Sequence, residues 1–405
     1  LADVVSTAGT EMTAVALPWF VLVSTGSPTK MGAVLAAEFA GLTLLGLFGG
    51  RVATAWGPRR MMLAADLLRA ALIAVIPLLF WFDGLSFPVI LAVAFGVGGF
   101  FPGYTSSQRV IMAGLVQDDE LRLTRVSGLM GAVNETASFV GPALGGVLVA
   151  LIGPERVLLV DALSYLSAFL LVAGLVRAVS GGADEAGTSG ILEGLRYLFG
   201  QRSLRWQVVG VGVLEIGFTA LVATLPVLAL RGGGPSVAGW LLGSYGAGSV
   251  VGGLISTRAR GTGGRTAAVA VAGLAVATWV LPAPVPTWAL AGAVAATGVC
   301  SGLFFPRFFA ALTTRTSPPL RARVMTSVTI AISAPAPLGF LGAGLLAQHT
   351  GSTTPSLVLV AASTTLGAAI VAFAVTGRGG AVVGSDDTGG AVPGDDRAPR
   401  PLSAD

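Results

Sequence analysis

The stretch "GGFFPG", residues 98–103, returns as "GLFFPR" at residues 302–307, an offset of 204. Three more pairs flank it in the same order. "VALPWFVL" at 15–22 answers "ATLPVLAL" at 223–230, and "LFGGR" at 47–51 answers "VVGGL" at 250–254. "DELRLTRV" at 119–126 answers "PPLRARV" at 318–324. One short match in apolar sequence is cheap; four in register near one offset are not. The chain therefore reads as one unit of helices written twice. Repeated membrane bundles place a substrate site between the repeats, near the midplane, and rock around it.

Composition places those repeats in lipid. Hydrophobic residues make up 54% of the 405 and charged residues 11%, against about 25% charged in an ordinary soluble protein. Cys300 is the only cysteine and His349 the only histidine, which excludes an internal disulfide, a thiolate metal site and most triad chemistry. No metal or cofactor is expected. No basic block with interleaved aromatics suggests nucleic acid, and no phosphate loop suggests ATP as the driving force. The chain opens on Leu1 inside an apolar segment, which reads as a clipped N-terminus without a separate signal peptide.

A spanning helix needs about 20 mainly apolar residues. Twelve segments qualify: 1–23, 30–53, 61–82, 87–109, 126–152 and 156–178, then 204–230, 237–257, 266–283, 288–310, 324–347 and 355–376. The expected fold is all-α, twelve transmembrane helices in two repeated six-helix bundles. An N-terminal bundle covers 1–178 and a C-terminal bundle 204–376. The linker, 179–203, holds "ILEGLRYLF" at 191–199, whose apolar residues share one face; it reads as an amphipathic helix on the membrane surface. The tail, 377–405, reads as disordered. Alternate loops carry Arg59 and Arg60, Arg122 and Arg125, Arg196 to Arg205, Arg258 to Arg265, and Arg315 to Arg323; the opposite loops carry only Lys30, Arg156 and Arg231. The first set is cytoplasmic by the positive-inside rule, with both termini inside. One Lys beside 23 Arg suggests a GC-rich bacterial gene and hence a bacterial plasma membrane.

Twelve helices in two sixes resemble the major facilitator superfamily. The loop "GGRVATAWGPRR", 49–60, is similar to that family's signature loop: Gly50, Gly57, Arg59 and Arg60 match, whereas Thr54 and Ala55 stand where the family prefers Asp and Arg. "MMLAADLLRA" at 61–70 is similar to its frequent Asp-x-x-Arg, through Asp66 and Arg69. "GPALGG" at 141–146 resembles the motif of proton-linked exporters. "TGSPTKMG", "VQDDEL" and "LLVDALSYLSAFLL" look like the branch that includes macrolide and enterobactin exporters. The resemblance implies alternating access, proton exchange and gating by the signature loop. The missing acidic half of that loop puts its charge relay in question.

The residues allow the same functions independently. Gly141 and Gly145 share a helix face, and with Gly146 they admit another backbone closely. Gly243, Ser244, Gly246, Gly248, Gly252 and Gly253 offer the eighth span a matching small surface. Together with Pro142 these residues read either as an opening seam or as static packing. Glu11 and Glu38 fall roughly 18 and 12 Å inside the apolar spans, at ~1.5 Å per residue. A carboxyl taken out of water favours its neutral form, so such groups can bind and release protons. By the repeat Glu11 maps onto Thr219, and Glu215 lies one turn earlier, so Glu11 and Glu215 are expected to face each other across a central cavity. Glu135 is either a substrate or proton ligand or a structural acid. Asp66 and Arg69, three apart, can pair with each other as gate or scaffold, and Asp161 reads as an outer cap or latch. Arg109 reads as snorkelling to the surface; Arg307 either does the same or meets a carboxylate. Phe100, Phe101, Phe304 and Phe305 read as repeat packing or as a cavity wall.

Three functions compete. A proton-coupled exporter of a bulky, amphipathic small molecule, acting as a monomer, is the first; isolated acids among Ala, Gly, Val and Leu favour apolar or cationic cargo for it. An importer or uncoupled facilitator keeps the fold but calls for more Asn, Gln and Trp on the inner faces. A membrane enzyme needs a cluster of His, Asp or Ser that the sequence lacks.

Overall fold

The computed structural model describes residues 2–115, 136–137, 140–175, 188–258, 263–317 and 320–376. The expected tail lies outside them. Among the described residues every regular element is a helix. The first half contains α1 (Ala2–Thr25), α2 (Pro28–Trp56), α3 (Pro58–Trp81), α4 (Phe87–Leu115), α5 (Val140–Ile152) and α6 (Pro154–Leu175). After α7 (Thr188–Gly200) come α8 (Arg202–Gly232), α9 (Pro235–Arg258), α10 (Gly263–Thr278), α11 (Thr287–Arg315), α12 (Arg321–Ser333), α13 (Ala336–Thr350) and α14 (Thr354–Thr376). Seven described helices, and α12 and α13 taken as one span, are long and apolar enough to cross a membrane. Prolines at helix starts (Pro28, Pro58, Pro154, Pro235) occupy the first turn, where a missing N–H costs nothing.

Two elements differ from the sequence reading. The span expected at 324–347 is two helices, because Pro335 and Pro337 withhold the N–H groups that would continue the ladder. Thr219 of α8 donates to the carbonyl of Ala336 at the break, at 3.1 Å. The span expected to reach residue 283 ends at Thr278, where a turn begins that runs through Pro282, Pro284 and Pro286.

The repeat is visible in how helices touch. On α2 and α4, a Cβ at Gly41 or Gly98 would strike the backbone carbonyl of Phe95 or Glu38. On α9 and α11, Gly248 and Gly252 sit on the carbonyls of Ala295 and Val299, and Gly298 and Gly302 on those of Tyr245 and Ser249. Glycine there removes the side chain that would hold the backbones apart. The same pair of helices in each half is thus fused by the same device.

Contacts between the halves concentrate at one end. Gly32 of α2 lies on the Phe340 carbonyl of α13, and Gly344 on that of Pro28. Ser27 Oγ donates to Gln348 Oε1 at 3.0 Å, and the Phe39 and Phe340 rings lie 5.1 Å apart. Gly146 of α5 meets Gly239 of α9 at the same end. The linker helix α7 rests on protein as well as on any surface. Gly194 is seated against Ser327 and the Arg323 carbonyl, Leu198 is buried among Val324 and Val328, and Glu193 pairs with Arg323 at 2.5 Å.

Candidate functional site

The first half gathers its ionisable groups between α1, α2, α3, α4 and α6. Asp161 is 1% exposed; Thr13 donates to its Oδ2 at 2.6 Å and Ser164 to its Oδ1 at 3.1 Å. Gly9 lets α1 approach those two side chains. Thr10 shares a 2.7 Å hydrogen bond with the buried Tyr165 hydroxyl. The Arg69 guanidinium, 3% exposed, stands over the rings of Phe101, Tyr104 and Tyr165 at 5.3, 5.6 and 5.6 Å, a cation–π cage worth more where water is excluded. Its charge acts on both Glu38 and Asp161. The Arg69 charge is thus felt by acids on two other helices. Asp161, expected as an outer cap or latch, is instead a buried acceptor inside this network. Its depth along the span was readable, but the face it presents depends on the rotation of α6.

Glu38 is half-buried on α2, and its backbone carbonyl receives Gly98. Glu11 is half-buried on α1, where Gly141 of α5 packs on its side chain. Glu215 lies on α8, and its carboxyl has no hydrogen bond or ion pair among the described residues. Asp66 is fully buried on α3. Glu135 lies outside the described residues, and so does the side chain of Arg109.

Close glycine packing between α5 and α9 is present, but at another place on α9 than expected. A Cβ at Gly145 would come within 2.9 Å of Met12 of α1, one at Gly146 within 2.9 Å of Gly239, and one at Gly239 would strike the Pro142 carbonyl. Gly239 was missed in the sequence because it stands alone, outside the Gly-rich run. Gly248 and Gly252 of that run are spent on α11, Ser244 bonds back to Leu241 of its own helix at 2.7 Å, and Gly253 faces open space. In the signature loop, Gly57 has φ +80°, a left-handed conformation that favours glycine. Arg59 beside it donates to the Ala173 carbonyl of α6 at 2.8 Å, Arg60 is exposed, and Gly50 is helical within α2.

Beyond the seam, toward the far ends of α9 and α11, opens a cavity of about 890 Å³. Thr136 reaches it from the fifth-span segment, Tyr245, Ser249 and Thr257 from α9, and Ser301 and Phe305 from α11. Arg307 also lines it, donating to the carbonyls of Leu303 and Ser256 at 3.0 and 3.1 Å. A void of about 30 Å³ between α8, α10, α11 and α14 shares Tyr245, Ser301 and Phe305 with that cavity and adds Thr278, Thr297 and Thr364. Of the four repeat phenylalanines, Phe305 lines the cavity, Phe304 is buried against Phe308, and Phe101 caps Arg69.

Known proteins agree with this architecture. The family described as "Transmembrane secretion effector" matches residues 1–379. Multidrug efflux pump Tap of Mycobacterium tuberculosis (strain H37Rv) is 28% identical over 375 residues, covering 88% of each chain. Tap of Mycolicibacterium fortuitum is 28% identical over 371 residues, covering 87% of this chain and 89% of that one. Among solved structures, a mutant of the nucleoside transporter NupG superposes with TM-score 0.73 at 13% identity, covering 92% of this chain and 98% of that one. A bacterial homologue of ferroportin gives 0.72 at 15% identity, covering 93% and 97%. These likenesses show the fold. The chain is a multi-pass membrane transporter and belongs to the transmembrane secretion effector family of the major facilitator superfamily.

Proposed function

We propose that this transporter exports a bulky amphipathic small molecule in exchange for protons, by alternating access. The observation that carries the reading is the cavity of about 890 Å³, which lies beyond a glycine-packed seam. Its volume falls in the range of drug-sized sites, roughly 300–1,000 Å³. The curated relatives named multidrug efflux pumps support export over import. With the Arg-rich loops on the cytoplasmic side, the cavity opens inward, the seam is outer, both termini are inside, and the membrane is the bacterial plasma membrane. The halves 1–178 and 204–376 are then the rocking bodies, and a monomer suffices. Glu11, Glu38, Glu135 and Glu215 are the carboxyls offered for proton or cargo exchange. Gly141, Pro142, Gly145 and Gly146 form the outer seam; Gly50, Gly57, Arg59, Arg60, Asp66 and Arg69 form the inner gate.

The test is drug accumulation in an efflux-deficient bacterial host, over a panel of anionic, neutral and cationic amphiphiles. Expression is expected to lower accumulation of at least one, and a protonophore to restore it. Glu38→Gln is expected to abolish the effect while the protein still reaches the membrane. If no amphiphile is lowered, the export reading fails. Lowering that survives the protonophore removes proton coupling.

A further inference from the structure

Resting on the export reading, we infer that the cavity selects cargo bearing an anionic group, a carboxylate or sulfonate on an apolar body, held by Arg307. The argument is one of charge and unspent donors. Arg307 is the only charged side chain among the described residues that line the cavity, and the polar remainder are hydroxyls. A guanidinium has five N–H donors and no acceptor; two of them reach Leu303 and Ser256 carbonyls, so three remain. Ser256 lies in the last turns of α9, which ends at Arg258. A helix C-terminus carries only about half a negative charge, so it offsets part of the guanidinium and leaves the site positive. Hydroxyls at Ser249 and Ser301 can donate to an anion in the same cavity, and the Phe305 ring and Leu254 supply apolar wall. A cationic cargo would enter against this charge. The acids Glu38 and Asp161 are gathered around Arg69 in the other half, away from this lining. The sequence pointed to apolar or cationic cargo because isolated acids are conspicuous in apolar helices; the cavity wall belongs to a different set of residues.

The experiment is fluorescence titration of the full chain in lipid nanodiscs, with empty nanodiscs as background. Three probes share one naphthalene body: dansylglycine (anion), dansylamide (neutral) and dansylcholine (cation). Dansylglycine is expected to bind about tenfold or more tighter than dansylcholine, the worth of one or two charge-assisted hydrogen bonds. Arg307→Gln is expected to bring dansylglycine down to the level of dansylamide. Arg307→Lys, which keeps the charge and loses the fork, is expected to retain the order of preference at reduced affinity, so that a folding defect is told apart from loss of recognition. Tighter binding of dansylcholine, or an anion preference unchanged in Arg307→Gln, overturns the proposal. Because titration reads binding without flux, an anion preference in a protein that exports nothing would sink the export reading and leave this one standing.

Discussion

The two halves share a way of packing and differ in what they bury. In the first, α2, α3 and α6 carry Glu38, Asp66, Arg69 and Asp161 into the interior. In the second, the repeat counterparts α9, α10 and α14 bury hydroxyls, among them Thr278, Ser363 and Thr364, each bonded to a carbonyl of its own helix at 2.5–3.3 Å. A hydroxyl can satisfy itself three or four residues back along the helix. A carboxylate or guanidinium needs donors or counter-charge from other helices. So α10 and α14 hold these hydroxyls without fixing how the helices are rotated, whereas the buried charges of α3 and α6 do fix it. Glycine-on-carbonyl contacts are common to both halves because they are set by the backbone, whereas the polar content around them differs.

The largest expected effect breaks the first half alone. Asp161→Ala removes the acceptor of both Thr13 and Ser164; each hydrogen bond to a charged group is worth about 1.5–3 kcal/mol, and the sum is read as loss of thermal stability in detergent. Next, Gly98→Ala and Gly302→Ala each drive a methyl into a facing carbonyl, for about 1–3 kcal/mol. Equal losses would support a common packing device, and a tolerated substitution in either half would break the comparison. Thr364→Ala removes one own-helix hydrogen bond in the second half and is expected to cost about 1 kcal/mol. A loss as large as that of Asp161→Ala would show that Thr364 does more than satisfy itself on its own helix. Smallest is Gly253→Ala, whose methyl meets nothing within 4 Å; unfolding is expected to shift toward stability by up to ~1 kcal/mol, from reduced chain entropy.

Helix spans and the repeat were legible because a bilayer demands runs of fixed length, and repeats keep their order. Both misplaced ends, at residue 278 and at the α12–α13 break, involve prolines that were visible in "LPAPVP" and "SAPAPLG". A run-length count does not weigh the missing N–H. The acids were legible as residues but not as a network. Asp161, Thr13 and Thr10 come from helices whose relative rotation no local pattern specifies. The α5 contact was legible from Gly141, Gly145 and Gly146, whereas its partner Gly239 was not, because a run of glycines invites the same reading as one glycine in the right place. Arg307 was visible at the end of "GLFFPR", yet its role depends on α9 ending beside it.

The Thr219 hydroxyl lies 2.8 Å from the Glu215 carbonyl of its own helix and 3.1 Å from that of Ala336 across the break. One hydroxyl carries one proton to donate, so it serves these two acceptors by turns. Turning a single side-chain torsion moves the proton from the α13 carbonyl back onto α8, while Gly339 keeps the two backbones packed. The joint between these helices thus trades one hydrogen bond for another at a single side chain, beside a break that the prolines make.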